Sequence, residues 1–225
     1  GKELRFGALL TGFWTVVSTG TMTGASNGSF EALMPTAVLV AVVNLLLQVV
    51  FGALGLGVAQ LLVFVVLAVF LAGLMVGRTP TYLGRRLEQP QVTAASIALL
   101  LHPLLVLVPA AITLAAGPAL TGLGLPSPHR LSQVLVAYAS AAANNGIRLE
   151  GLGDGGLWWN LSTSVSLVGG RYLPMAVLLA LADGFRRRFA AEVVPEAGPG
   201  SLRTATPLFT VFTAVVILSL GALTF

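Results

Sequence analysis

The sequence predicts an all-α membrane protein built from repeated helix–re-entrant loop–helix units, with one extra transmembrane helix at its C-terminal end. Hydrophobic residues make up 56% of the chain and charged residues only 9%, against about a quarter charged in a soluble domain. Long apolar runs end in clusters of arginine, a pattern typical of spanning helices at the cytoplasmic face. Two short segments rich in Gly, Ser, Thr and Ala are too short and too polar to span a bilayer.

Composition and motifs also exclude several classes of protein. The net charge of +4 lies at the ends of apolar runs, which argues for membrane orientation and against nucleic-acid binding. Without cysteine there are no disulfides or thiolate metal sites. The chain has no phosphate-binding P-loop, no Asp-Lys-Thr-Gly phosphorylation run and no His-Glu-x-x-His motif. No catalytic centre is therefore expected here, and an intramembrane enzyme, the alternative from another class, is disfavoured.

The first unit contains a long apolar stretch that must break. No charged residue occurs between Glu31 and Arg78, and one straight helix over that stretch would be about 69 Å long against a hydrocarbon core of about 30 Å. The break is predicted at Gly52, Gly55 and Gly57, between helices over 36–51 and 58–77. Non-helical backbone at membrane depth is tolerated where it is buried or lines a watery cavity. The break is therefore predicted to face a pathway, with a kink of no function as the alternative.

The second unit repeats the plan of the first. A span over 93–116, kinked near Pro103, leads through a Gly/Pro loop to a short segment over 129–143 and a span over 157–182. A polar linker and an apolar helix over 205–225 follow. The chain begins without Met and stops inside an apolar run, which predicts a piece of a longer protein. The two short segments, 5–24 and 130–146, match each other, with Tyr138 placed opposite Phe13 and Trp14.

Each short segment ends in small residues, Ser18 to Ala25 in the first and Ser140 to Gly146 in the second. Such residues let the backbone extend so that carbonyl oxygens replace the hydration shell of a potassium ion. Glycine allows positive φ, which turns successive carbonyls to one side at little steric cost. Small residues also mediate ordinary helix packing in membranes, and composition alone leaves both interpretations open.

The run Ala72 to Pro80, continued by Tyr82 to Arg86, closely resembles the potassium-binding subunit of the bacterial Kdp-type potassium-transporting P-type ATPase. Thr23-Gly24-Ala25 and Ser140 to Gly146 are similar to that family's third and fourth filter loops. Gly169-Gly170-Arg171 resembles its last pore-lining helix. The runs 206–209 and 221–225 resemble its terminal helix, so the similarity covers essentially the whole chain.

The resemblance implies a Trk/Ktr/HKT-type potassium-transporter fold with four repeats around one ion path. Residues 1–92 would end the third repeat, 93–188 would form the fourth, and 189–225 would form a linker and an extra helix. Half a filter cannot encircle an ion, so this chain alone is not expected to conduct. The implied site residues are Thr23, Gly24, Asn145 and Gly146, whose backbone carbonyls bind potassium in the filter, and Gly52, Gly55, Gly57 and Arg171 in the pore and its gate.

The resemblance further implies a non-catalytic subunit of an ATP-driven potassium uptake complex, multi-pass in the bacterial cytoplasmic (inner) membrane. Potassium would be the transported ion, and no organic cofactor is implied. The expected partners are the ATP-hydrolysing subunit of the same complex, its small third subunit, and membrane lipid. A passive Trk/Ktr-like potassium channel or transporter with a cytoplasmic nucleotide-binding partner is the alternative.

Some residues depart from the family pattern or need a separate explanation. Arg148 and Glu150 place charges after the fourth filter loop, and Gln48 stands where an acidic residue is expected. Arg171 costs about 3 kcal/mol at mid-bilayer and is predicted to point into the path below the second loop, with a salt bridge or carbonyl cap as the alternative. His102, beside a kink, is expected to pack or hydrogen-bond and not to bind a ligand.

Overall fold

The computed structural model describes residues 5–48, 52, 56–77, 80–82, 85–116, 130–147, 149, 152–153, 155–189 and 206–224. Within these ranges the chain forms seven helices and one two-stranded hairpin. The elements are α1 (Gly7–Gly20), α2 (Pro35–Leu47), α3 (Leu56–Val76), β1 (Thr81–Tyr82), β2 (Arg85–Arg86), α4 (Gln89–Ala115), α5 (Arg130–Ala143), α6 (Leu157–Phe189) and α7 (Pro207–Thr224). The predicted all-α class is confirmed.

Three of the described helices are long and apolar enough to cross a membrane, which confirms a multi-pass membrane protein. They are α3, α4 and residues Leu157–Arg186 of α6. Helix α2 and residues Pro207–Leu223 of α7 are apolar but shorter. The C-terminal helix predicted as transmembrane thus forms, but at 18 residues it rises only about 27 Å.

Helices α1 and α5 are the two short segments that the sequence predicted to be re-entrant. Each has 14 residues, equivalent to about 21 Å against a hydrocarbon core of about 30 Å. Neither helix is therefore long enough by itself to cross the hydrocarbon core, and their re-entrant path remains a prediction. Both end in irregular backbone at the residues that the sequence proposed as loops.

The break between α2 and α3 forms, but it begins earlier than predicted. Helix α2 ends at Leu47 and not at residue 51, because Gln48 turns into the left-handed region with φ 49°. Helix α3 begins at Leu56, so Gly57 lies in its first turn and not in the break. A methyl group at Gly52 would lie 3.0 Å from the Gln48 carbonyl oxygen and 3.2 Å from the Gly57 Cα. Gly55 lies outside the described residues.

The chain divides into two compact units that do not coincide with the predicted repeats. The first comprises Gly1–Val58 and His102–Leu173, and the second Ala59–Leu101 and Pro174–Phe225. The repeat boundaries at 92/93 and 188/189 remain a prediction.

The second unit contains the hairpin and a capped helix start. Thr81 pairs with Arg86 and Tyr82 with Arg85 in an antiparallel register. At the start of α4, the Glu88 N–H donates to Gln91 Oε1 at 3.1 Å, the reach-back bond of a capping box. Gln91 Nε2 donates to the Gly184 carbonyl at 3.5 Å, so one buried side chain links the ends of two helices.

The core of the first unit is organised around Tyr138 on α5. Its ring is fully buried and stacks on Trp159, with ring centroids 5.6 Å apart. Its hydroxyl bonds Thr113 Oγ1 of α4 at 2.6 Å and Ser162 Oγ of α6 at 2.8 Å. Trp158 Nε1 donates to the same Thr113 oxygen at 2.9 Å. Because buried polar groups need partners, this network fixes α5 between two spans.

Replacing Tyr138 by Phe should lower the free energy of unfolding by about 1–2 kcal/mol, because the ring and its stack remain while two buried hydrogen bonds are lost. Thermal unfolding of the purified protein in detergent measures this change. Tyr172→Phe is the matched control, since Tyr172 is exposed and should change little. Equal stability of both variants would contradict a stabilising role for the network.

Candidate functional site

Helices α1 and α5 end in the same backbone motif. Each helix is followed by a residue in the left-handed region, Met22 with φ 57° and Asn144 with φ 55°. The next N–H donates back to a helix carbonyl: Thr23 N to Ser18 O at 3.1 Å and Asn145 N to Ser140 O at 2.9 Å. A second pair of bonds joins Met22 N to Thr19 O at 3.4 Å and Asn144 N to Ala141 O at 3.1 Å. This is the Schellman closure of a helix.

The two loops then repeat the left-handed conformation two residues later. Gly24 has φ 67° and Gly146 has φ 84°. In each loop, two residues with positive φ therefore flank one residue with negative φ, Thr23 in the first loop and Asn145 in the second. Glycine occupies this conformation without the steric cost of a Cβ. Two segments far apart in sequence therefore adopt one backbone trace.

The two loops touch through their backbones. A methyl group at Gly24 would lie 1.8 Å from the Asn145 carbonyl oxygen and 2.9 Å from its carbon, so only glycine permits this approach. Asn145 is buried and its Nδ2 donates to the Ser18 carbonyl at 3.5 Å, while Thr23 and Gly146 are exposed. The structure brings together all four residues predicted for the filter.

Hydroxyl and indole groups hold the first loop. Ser18 Oγ donates to the Ala25 carbonyl at 2.6 Å, and Trp14 Nε1 donates to the same oxygen at 3.2 Å. From α2, Asn44 Nδ2 donates to Thr19 Oγ1 at 3.2 Å. Sequence reasoning missed these three supports, Trp14, Ser18 and Asn44. An Asn within an apolar helix was the available signal for the last, since polar groups in membranes seek partners.

The second loop is held by α6. Asn144 Nδ2 donates to the Leu167 carbonyl at 3.2 Å. A methyl group at Gly170 would lie 2.1 Å from the Ala142 carbonyl oxygen, so α6 lies against the end of α5 only because this residue is glycine. A methyl group at Gly169 would instead meet a methyl carbon of the Leu105 side chain at 2.9 Å.

The matched loops set a register for the helices that follow them. Helix α2 begins as many residues after Gly24 as α6 begins after Gly146. Continuing this register places Gln48, where α2 stops, opposite Gly170, and places position 49 opposite Arg171. In the same register Tyr138 falls opposite Val16, so its predicted alignment with Phe13 and Trp14 was wrong.

Comparison with known proteins identifies the family. The sequence profile of KdpA, the potassium-transporting ATPase A subunit, matches residues 1–225. This chain belongs to that family. Proteins named potassium-transporting ATPase potassium-binding subunit are 55% identical in Gloeobacter violaceus, 53% in Synechocystis sp. and 40% in Clostridium acetobutylicum, each over 225 residues and the whole of this chain. The chain spans only 38–40% of the length of these relatives.

Within this family member, Arg171 stands in the middle of α6 and is exposed. Among the residues that the structure describes, it forms neither of the alternatives considered for it, a salt bridge or a carbonyl cap. Counted from the loop glycines, Arg171 is as many residues after Gly146 as position 49, between α2 and α3, is after Gly24. Its assignment to the ion path remains a prediction.

The residues that depart from the family pattern have different surroundings. Ile147 and Leu149, which follow the second loop, are buried in a cluster with Phe30 and Val136. Arg148 and Glu150 lie outside the described residues. Gln48 contacts His102 of α4, with Nε2 of Gln48 3.3 Å from each ring nitrogen. The expected hydrogen-bonding role of His102 is thereby confirmed.

Replacing Gly170 by Ala should destabilise the protein by about 1–3 kcal/mol, because the added methyl group meets the backbone of α5, which cannot rotate away. Gly169→Ala is the matched control, since the Leu105 side chain can move and alanine favours the helix by about 1 kcal/mol. Thermal unfolding in detergent compares the two. Similar losses of stability in both variants would mean that the contact between α5 and α6 is not tight at Gly170.

Proposed function

We propose that this chain supplies two potassium-filter loops to the potassium-binding subunit of an ATP-driven potassium uptake complex. The observation that carries the proposal is the contact between two loops of equal backbone conformation, in which Gly24 lies against the Asn145 carbonyl. The names of the relatives support the same function, since they are called potassium-binding subunits of a potassium-transporting ATPase.

The proposed chemistry is exchange of hydration water for peptide oxygen. Rings of backbone carbonyls replace the shell of a potassium ion as it enters from outside. Thr23, Gly24, Asn145 and Gly146 would contribute carbonyls from two sides of that ring. The rest of the full-length protein would supply the other two sides, since the chain spans only two fifths of the length of its relatives.

The energy for uptake would come from another chain of the complex. The sequence carries neither a phosphate-binding loop nor an Asp-Lys-Thr-Gly run, so we assign ATP hydrolysis to a separate partner subunit and expect a small third subunit in the same complex. The complex would lie in the bacterial cytoplasmic (inner) membrane. The relatives' names favour this ATP-driven complex over the passive channel-like alternative.

Below the loops, the break between α2 and α3 and the charge of Arg171 would form the exit of the ion path. An exposed positive charge midway along a membrane helix is costly unless it faces water or protein. If the guanidinium faces the path, it would repel potassium until the ATP cycle displaces it. Gly52 would then let the break fold closely against the end of α2.

The complete complex, purified with its partner subunits, should hydrolyse ATP faster in potassium than in sodium. In the Gly24→Ala variant this preference should fall about tenfold or more, because the methyl group displaces the Asn145 carbonyl from its ring. Gly12→Ala is the control, since a methyl group there meets nothing within 4 Å. A potassium preference that survives Gly24→Ala unchanged would remove these loops from the filter.

Replacing Arg171 by Gln should strengthen apparent potassium affinity roughly tenfold, because a charge about 10 Å away at an effective dielectric of about 20 repels the ion by about 1.7 kcal/mol. The measurement is the potassium dependence of ATP hydrolysis in the complete complex. Arg186→Gln, which removes a charge paired with Asp183 at 3.1 Å, should leave affinity unchanged. Unaltered affinity and turnover in Arg171→Gln would exclude the proposed role.

A further inference from the structure

The end of α2 poses a chemical problem that a histidine from another helix resolves. Stopping a helix leaves its last carbonyls without intrahelical partners, and within a bilayer an unsatisfied peptide group is costly. The Asn44 carbonyl still receives the Gln48 N–H at 3.1 Å. The helical partner of the next carbonyl, Leu45, would come from residue 49, beyond the left-handed Gln48 and outside the described residues. His102 Nε2 lies 3.1 Å from that Leu45 oxygen.

The same ring also bonds the residue that ends the helix. A carbonyl only accepts, so the bond to Leu45 requires the proton on His102 Nε2, which leaves Nδ1 as an acceptor. Gln48 Nε2 lies 3.3 Å from Nδ1 and can donate to it. This assignment of the proton follows from the hydrogen-bond pattern. One buried imidazole therefore caps α2 and holds the side chain of a residue whose positive φ is unfavourable outside glycine.

The matching position in α6 shows a different solution. In the register of the loops, Leu167 is opposite Leu45, and its carbonyl accepts a bond from Asn144 of its own loop. Gly170, opposite Gln48, continues the helix past α5. At the matching position of α2, Gln48 has φ 49° and the helix stops. The extra donor there comes from His102 of α4.

We infer that His102 is a positioning residue for the break: it caps the Leu45 carbonyl and holds Gln48, and so determines where α2 stops. The position of Gln48 in turn sets that of Gly52, because Gly52 packs closely against the Gln48 carbonyl. Carbonyls at the end of a half-helix carry partial negative charge and favour a cation. The role in ion passage rests on the proposed function, whereas the capping role does not.

The test uses the complete complex with His102→Phe, which keeps a buried ring but removes both hydrogen bonds, and His102→Gln, which can donate and accept in their place. Hydrogen–deuterium exchange at residues 45–57 should become about tenfold faster in His102→Phe and return towards the original rate in His102→Gln. Gln48→Leu should act in the same direction. Because both substitutions remove the same contact, the double variant should accelerate exchange by less than the two single effects combined. Tyr172→Phe is the control for a ring change elsewhere.

Potassium-stimulated ATP hydrolysis of the same variants provides the functional readout. His102→Phe should raise the potassium concentration for half-maximal rate several-fold more than it lowers the maximal rate, with rescue by His102→Gln. Unchanged exchange in His102→Phe and Gln48→Leu would overturn the inference. Faster exchange in a complex whose ATP hydrolysis does not respond to potassium would uphold the cap and overturn the proposed function instead. If His102→Phe does not fold, the comparison is made between Gln48→Leu, which should exchange faster, and His102→Gln, which should exchange at close to the original rate.

Discussion

Wherever a helix of this chain stops, its free peptide groups need partners, and in hydrocarbon only the protein itself can supply them. Helices α1 and α5 meet this constraint locally, by folding the next amides back onto their own carbonyls through left-handed Met22 and Asn144. Helix α2 meets it with help from a distant residue, His102. The same constraint leaves non-helical backbone only where it is supported, and these supported interruptions are the parts of the chain proposed to meet ions.

Close backbone contact is the second requirement, and two glycines provide it. Gly24 lets one loop lie against the carbonyl of the other, and Gly170 lets α6 pass the end of α5. A side chain at either position would overlap a carbonyl oxygen whose position is set by a helix end. The loops are therefore held as a pair, with the Tyr138 network fixing α5 and Asn44 supporting α1.

Much of the site could be predicted from the sequence because its signals are local. Gly24 and Gly146 stand in short polar segments between apolar runs, and both have the positive φ that the sequence predicted for these loops. The supports could not be predicted in the same way. Trp14 donates to the Ala25 carbonyl, and Asn144 donates to a carbonyl of α6. Both bonds depend on how the backbone after each helix folds back against its neighbours. An alignment of apolar and aromatic residues alone also misplaced Tyr138 by two to three positions relative to the structural register.

The sequence by itself determined the membrane environment, the three long spans, the need for a break after α2 and the two loops, since composition, charge spacing and glycine positions are properties of neighbouring residues. Only the tertiary structure decided that α2 ends at Leu47, that Gln48 corresponds to Gly170, and that both loops meet at Gly24. These features arise from contacts between residues many positions apart. At the end of α2, for example, the Leu45 carbonyl lies 3.1 Å from Nε2 of His102, a residue 57 positions away in the sequence.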